Sequence, residues 1–386
     1  MNRDKVSAVI AVLVLLLVLI SLTGFISPPS AEAEIPLFGA DVFEELGQWN
    51  VLKYVLVVAL LIGFTLLILW VFQSSFPRRL VPLALIAIMA VGIAVWLLAW
   101  QVAFPDAGLR RIIRDRVGLL PTGCTDLTGL YVSNMESGDL KGIEACVNLK
   151  RLEIHVYNQM SDLSPLASLT KLTSLSILGG YNQISDLSPL ASLTNLTSLQ
   201  LYGFQTSDLS PLASLTKLTS LSLGHSPISD LSPLASFTNL TEIYLHDNRI
   251  GDLSPLASFT NLTEIRLDGN RINDISPLSS LTKIHYLDLS SNQISDLSSL
   301  ASLTNLTYLG LSGNKISDIS LLTSLSNLRY LDLELRDNQI SDISPLASLI
   351  GLNILDLTNN LLDKSESSEA LQIIRQLQAR GVKVRY

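Results

Sequence analysis

Leucine and isoleucine recur along most of this chain at fixed places, without following a helical stripe or a simple alternation. In the stretch that begins at Ser185, SDLSPLASLTNLTSLQLYGFQT, apolar side chains fall at Leu196, Leu199 and Leu201 and again at Leu209, Leu212 and Leu215. A short strand spacing is followed by a tighter turn spacing, which neither one long helix nor a hairpin fits. Near-copies follow one another until about Asp363. The aspartates that mark their starts, Asp186, Asp208, Asp230, Asp252, Asp274, Asp296 and Asp318, are 22 residues apart. Asp162 and Asp342 each stand 24 residues from the nearest of these, so two coils carry two-residue insertions. A weaker copy starts near Asp139, and the count is about ten coils.

The copies read L-x-x-L-x-L-x-x-N-x-I, the signature of a leucine-rich repeat, in which each copy supplies one parallel strand and a return segment to a stacked solenoid. The expected fold class is therefore an α/β solenoid with parallel strands on the concave face and short 3₁₀ or α turns on the convex face. One coil cannot bury its own apolar side chains, so neighbours complete the core and the array is one domain with atypical ends. The asparagine of the pattern appears at Asn248, Asn270, Asn292, Asn314, Asn338 and Asn360, where a buried amide bridges backbone groups of adjacent coils. It lapses at Phe204 and Ser226, which predicts less regular turns there. Ser210-Pro211 and its equivalents predict a capping hydroxyl before a proline at the first helical position.

Residues 139 to 363 resemble the 22-residue repeats of bacterial internalins and related short-repeat proteins. The resemblance implies binding of a partner on the concave sheet; it does not imply which partner.

The front of the chain changes the picture. Of 386 residues 48% are hydrophobic and 16% charged, with net charge −8, and the mean hydropathy of +0.41 is high for a soluble protein. Val6 to Ile26 is an uncharged run of 21 residues, long enough at about 1.5 Å per residue to cross a bilayer. It is a retained anchor or a signal peptide, since Ala31-Glu32-Ala33 resembles a cleavage site. Two further spans are expected at 51–72 and 80–100, with Trp70, Trp96 and Trp100 near their ends. The loop 28–50 carries Glu32, Glu34, Asp41, Glu44 and Glu45 and no Lys or Arg, while Arg3 and Lys5 precede the first span and Arg78 and Arg79 follow the second. That bias places the repeats outside the cytoplasm, whether or not the first segment is removed. Arg110, Arg111, Arg114 and Arg116, just after the third span, oppose it. They fit an amphipathic segment on lipid headgroups or a solvated linker.

The expected organisation is an anchor or signal peptide (1–27), an acidic extracytoplasmic loop (28–50) and transmembrane helices at 51–72 and 80–100. A basic juxtamembrane linker (101–122) leads to an N-terminal cap with degenerate repeats (123–160), the repeats (161–363) and a C-terminal cap (364–386). In that last segment a helix over 367–380 turns Leu371, Ile374 and Leu377 to one face.

The two cysteines, Cys124 and Cys146, are 22 residues apart, each three before a strand leucine. Strands about 4.8 Å apart would let them bond across the first two coils; otherwise they fill the core site that Leu169 and Leu193 fill later. No phosphate loop, zinc-type cysteine cluster or serine–histidine–acid pattern occurs. His155, His225, His246 and His285 are dispersed, and His246 with Asp268 is at most a weak metal or acid–base pair. Asn-Leu-Thr at Asn195, Asn239, Asn261 and Asn305 is formally a glycosylation sequence produced by the repeat itself.

Strand alternation selects the candidate site. In LTEIYLHDN, Glu242, Tyr244 and His246 face the open side, and the same register gives columns across the sheet. Ser174, Ser176, Ser198, Ser220 and Ser222 make a bland region. Beyond it Glu242 and Glu264 are followed by Tyr286, Tyr308 and Tyr330 in one column, with Tyr244, Arg266, Asp288 and Asp332 in the next and His246 and Asp268 above. Tyrosines in register are hot-spot residues or a ladder that merely stabilises the sheet, and the flanking acids suit a basic partner. The sequence therefore describes a membrane-anchored repeat protein that binds a protein or peptide on its concave sheet outside the cytoplasm. Its bilayer contact runs through three helices, or two after cleavage. No cofactor, metal or nucleic-acid partner is expected, and no enzymatic role is expected because no catalytic pattern supports one. The alternative is a three-span sensor or regulatory subunit whose solenoid is a scaffold on the cytoplasmic side.

Overall fold

The computed structural model describes residues 89–90, 92–94, 97, 107–117, 121–133, 138–155, 160–179, 182–327 and 331–386. The chain divides into two compact units, Met1–Val58, which holds none of these residues, and Ala59–Tyr386, which holds them all. Among the described residues no helix is long and apolar enough to cross a membrane. The spans expected at 6–26 and 51–72, and all of that at 80–100 except 89–90, 92–94 and 97, lie outside the described residues.

Each copy of the repeat forms one short strand, and the strands pair in parallel in sequence order. They are β1 (Gly129–Ser133), β2 (Arg151–His155), β3 (Ser174–Leu178), β4 (Ser198–Leu201), β5 (Ser220–Ser222), β6 (Glu242–Tyr244), β7 (Glu264–Arg266), β8 (Tyr286–Asp288), β9 (Tyr308–Gly310), β10 (Leu331–Glu334), β11 (Leu352–Asp356) and β12 (Lys383–Arg385). The inward leucines of all coils join one continuous core running from Leu109 to Val382. Such a core is the only way that coils this small can remove their apolar surface from water.

The return segments between β3 and β11 are 3₁₀ turns, and their start differs from the expectation in one respect. Ser210 is not the cap: Leu209 holds that position and its side chain makes no capping bond. The aspartate two residues earlier caps instead. Asp208 Oδ1 accepts from the Ser210 backbone N–H at 2.9 Å, and the equivalents at Asp186, Asp230, Asp252, Asp274, Asp296, Asp318 and Asp342 do so at 2.7–2.8 Å. A carboxylate reaches an N–H two positions on more easily than a serine hydroxyl reaches its own turn, and it also matches the positive end of the turn.

At the other end of each strand the chain bends sharply, and the residue before the ladder asparagine adopts a left-handed conformation. Glycine occupies that place at Gly203, Gly269 and Gly313, whereas His225, Asp247, Ser291, Asp337 and Asn359 adopt φ of 52–57°, at a cost of roughly 1 kcal/mol each. Where an asparagine follows, its side chain satisfies the backbone of the bend. Asn270 donates from Nδ2 to Leu245 O at 2.9 Å and Leu267 O at 3.0 Å, and its Oδ1 accepts from Ile250 N–H at 3.0 Å. Where the ladder lapses the turns depart from it as expected: Ser226 Oγ accepts from Phe204 N–H at 3.2 Å, and the Phe204 ring is buried in place of an amide.

A second, exposed asparagine ladder was not foreseen. Asn195, Asn239, Asn261 and Asn305 each donate from Nδ2 to a carbonyl of the preceding coil at 2.8–3.1 Å.

Both ends of the core are covered. Helix α1 (Ala107–Val117) buries Leu109 and Ile113 against it, so the apolar face of the basic segment is turned to protein. Cys124 and Cys146 then form a disulfide between the first two coils, with Cα atoms 4.8 Å apart. At the far end helix α2 (Glu369–Ala379) is capped by Ser368, buries Ala370, Ile373, Ile374 and Leu377, and leaves Leu371 half-buried. Strand β12 covers the edge of β11.

Two predictions concern the scaffold. Asn292 donates to Leu267 O and Leu289 O and accepts from Ile272 N–H in the interior. Asn292→Ala should therefore cost about 2–4 kcal/mol in denaturant unfolding, and Asn239→Ala on the exposed ladder about 1 kcal/mol or less; equal losses would contradict the distinction. The turn-capping bonds hold the carboxyls of Asp186, Asp208, Asp230, Asp274, Asp318 and Asp342 below the ordinary 3.8, chiefly through the serine N–H and hydroxyl. A depressed folded-state value stabilises the fold above the unfolded value and loses that contribution as pH falls through the folded one. The melting temperature should thus drop on acidification below pH 3.8, and the drop should be smaller in an Asp208→Asn/Asp230→Asn/Asp274→Asn variant.

Candidate functional site

The open face of the sheet is built from the side chains that alternate with the core leucines. Strand pairing aligns Glu242, Glu264, Tyr286 and Tyr308 in one column and Tyr244, Arg266, Asp288 and Gly310 in the next, as the alternation predicts. His246 and Asp268 lie one step above. The register then departs from expectation. Beside Tyr308 stands Asp332, and beside Gly310 stands Glu334. Asp332 therefore belongs to the first column and not to that of Asp288, and Tyr330 lies outside the described residues. The cause is the position of the insertion. Asp332 follows Asp318 by 14 positions, whereas Tyr308 follows Asp296 by 12, so the two extra residues precede the strand and lengthen the return segment Ser320–Asn327. Counting back from the ladder would have found this, because Glu334 precedes Asn338 by four residues as Asp288 precedes Asn292.

Across β6 to β9 the face is chemically dense. Tyr286 and Tyr308 stack with centroids 4.2 Å apart and planes 9° from parallel. The Arg266 guanidinium lies 4.9 Å from the Tyr286 centroid and 5.1 Å from that of Tyr244, and donates to Glu264 at 3.0 Å. The ion pair and the two aromatic faces hold one cation in a fixed place. Burial pushes the Tyr244 phenol well above its usual range, helped by the charges of Glu242 and Glu264. Burial also raises Tyr308, with Asp288 and Glu334 adding to it. Asp268 is raised by its burial and by Asp288.

A second group, which the sequence did not point to, lies over Gly224. Tyr202 and His246 approach to 5.5 Å between centroids, and His225 meets His246 edge-on at 5.0 Å. A Cβ at Gly224 would stand 2.5 Å from His246 Nε2 and 2.8 Å from the Tyr202 ring, so a side chain there would displace both rings. Ser222 donates to the Tyr202 hydroxyl at 2.8 Å, and Asp247 is 3.3 Å from His225 Nδ1. The absence of a side chain at residue 224 was the available signal. Among the described residues no group of three His, Cys, Asp or Glu side chains is arranged to hold a metal. Ser174, Ser176, Ser198 and Ser220 line the corresponding columns of β3 to β5, joined by Gln200, to which Ser176 donates at 3.1 Å.

Comparison with known proteins agrees with this architecture. The family described as Leucine Rich repeats (2 copies) matches residues 147–192, 194–236, 216–258, 260–302 and 304–347. An internalin, inlF, from Listeria monocytogenes str. 4b F2365 is 36% identical over 74% of this chain and 90% of its own, with a TM-score of 0.65. The functional domain of InlJ from Listeria monocytogenes, which includes a cysteine ladder, shares 21% identity over 68% of this chain and 67% of its own, at a TM-score of 0.52. A TDR receptor shares 23% over 63% of this chain and 45% of its own, at 0.55. These last two indicate the fold alone. No curated protein matches the chain by sequence.

A spectroscopic prediction follows from the buried phenols. An unperturbed tyrosine ionises near 10.0, and Tyr308 is held well above that. Tyr308→Phe should leave the tyrosinate absorbance that develops around pH 10.0 unchanged. Loss of one tyrosine's share of that signal would show the ring to be solvated.

Proposed function

We propose that this chain, which belongs to the leucine-rich repeat family, is a membrane-anchored protein that holds a protein or peptide partner on the open face of its sheet, outside the cytoplasm. One observation carries the reading: on a single continuous sheet, small serines in β3 to β5 give way to stacked tyrosines and fixed charges from β6 onward. The core and the turns do not require that change, since the same inward leucines serve both halves. Preorganised aromatic side chains with buried flanks are what a binding surface needs. The acids Glu242, Glu264, Asp268, Asp288, Asp332, Glu334 and Asp356 outnumber the cations Arg266, Arg336, Lys383 and Arg385 on this face and favour a partner of basic character. The anchoring rests on the apolar runs at 6–26, 51–72 and 80–100, and the outward side on the acidic loop between the first two. The disulfide between Cys124 and Cys146 suits an oxidising compartment. The reading assigns no catalytic step to the chain.

A second reading is supported by Arg110, Arg111, Arg114 and Arg116, which follow the third apolar run. In it the solenoid is the cytoplasmic scaffold of a three-span sensor or regulatory subunit.

A reporter fused after Tyr386 separates the two: activity outside the cytoplasm is expected, and cytoplasmic activity contradicts the first reading. On the outward side, Tyr286→Ala/Tyr308→Ala should weaken capture of the natural partner by tens-fold or more. The melting temperature should fall by no more than a few degrees, since a stacked pair is worth about 0.5–1.5 kcal/mol. A large loss of stability with unchanged capture would make the stack a structural ladder.

A further inference from the structure

The tyrosine stack has different neighbours on its two sides. Towards β7, Tyr286 is covered by Arg266, which Tyr244 and Glu264 complete. Towards β10, Tyr308 is flanked by Asp332 in its own column and by Gly310 and Glu334 in the next, with Asp288 on the β8 side. A Cβ at Gly310 would stand 2.5 Å from Asp288 Oδ1, so the carboxylate leans over the glycine towards Glu334. Strands β8 to β11 contain no lysine or arginine. Beside these strands, among the described residues, Arg336 pairs with Asp337 at 2.9 Å and Arg385 lies 3.9 Å from Asp356. Asp288 accepts from Ser290 N–H at 3.0 Å and Asp332 from Asn353 Nδ2 at 2.8 Å. Both bonds come from neutral donors, so they orient the carboxylates without cancelling their charge.

One side of the stack therefore shows how this sheet holds a guanidinium, with a ring beneath it and a carboxylate at its edge. The other side repeats those groups without a cation from the strands. We propose that the Tyr308 side is the seat of an arginine side chain of the bound peptide, its guanidinium over the Tyr308 ring and its N–H groups on Asp332, Glu334 and Asp288. This rests on the open-face reading and adds to it the residue type read at one position. Arginine fits better than lysine because a flat, delocalised cation can stack on the ring while its edge meets several carboxylates. Glycine at 310 is part of the seat, because any side chain there displaces the Asp288 carboxylate.

The test uses the purified full chain and a fluorescein-labelled glycine–serine peptide carrying two arginines. Its twins carry citrulline, which keeps the shape without the charge, or lysine. Anisotropy should show the arginine peptide binding at least tenfold more tightly than either twin. Asp332→Asn/Glu334→Gln should remove that advantage and Gly310→Ala should reduce it several-fold, with circular dichroism unchanged. Glu153→Gln/Glu366→Gln, which alters net charge equally at a distance, should keep it. Equal binding of the arginine and citrulline peptides, equal binding of the lysine twin, or equal losses in the near and distant double variants would each overturn the proposal. If Tyr286→Ala/Tyr308→Ala abolishes capture of the natural partner while Asp332→Asn/Glu334→Gln does not, the arginine seat is wrong and the open-face site stands.

Discussion

Everything in this solenoid depends on satisfying the backbone where each strand ends and the chain turns across the core. Those carbonyl and N–H groups are too deep for water and too sharply bent to pair within their own coil. The ladder asparagines answer both demands, donating to carbonyls of their own and the preceding coil and accepting from the preceding coil's N–H. An unpaired group there costs about 1–3 kcal/mol, and the left-handed residue beside it adds strain. Stability is thus shared between neighbours, and a coil alone has neither a core nor a paired turn.

That constraint separates scaffold from site. Inward leucines, ladder asparagines and capping aspartates are dictated by stacking, so they carry no information about a partner. The outward positions of the strands are free of it, and there β3 to β5 differ from β6 to β11. Exposed asparagines and threonines of the return path, such as Asn239 with Thr216 O and Thr241 with Thr219 O, reinforce stacking from outside. They too belong to the scaffold although they are solvent-exposed.

The parallel sheet, the 3₁₀ returns and the asparagine ladder were legible because each is a one-coil rule repeated at a strict period. Features that the repeat period does not by itself resolve were not. The capping role of aspartate was hidden because serine and aspartate occur together in every copy. The placement of Asp332 was missed because the two insertions lie on opposite sides of a strand. One follows β3, where Asp186 comes 12 positions after Ser174 instead of the 10 between Ser198 and Asp208, and the other precedes β10. The Tyr202–His225–His246 group escaped because Tyr202 and His246 stand in one column two coils apart and meet only over the intervening Gly224. Columns of Glu242, Glu264, Tyr286 and Tyr308 were found because those coils share one length.

The central claim is that the partner contacts the tyrosine-bearing half of the open face. Site-specific photo-cross-linking in intact cells tests it most directly, with a benzophenone amino acid placed in turn at residues 308, 176 and 298. Position 308 is on the stacked half, 176 on the serine half and 298 at the start of a return segment on the opposite side. The account predicts a covalent partner adduct from position 308 and little or none from the other two. An adduct from position 298 or 176 with none from 308 would contradict it.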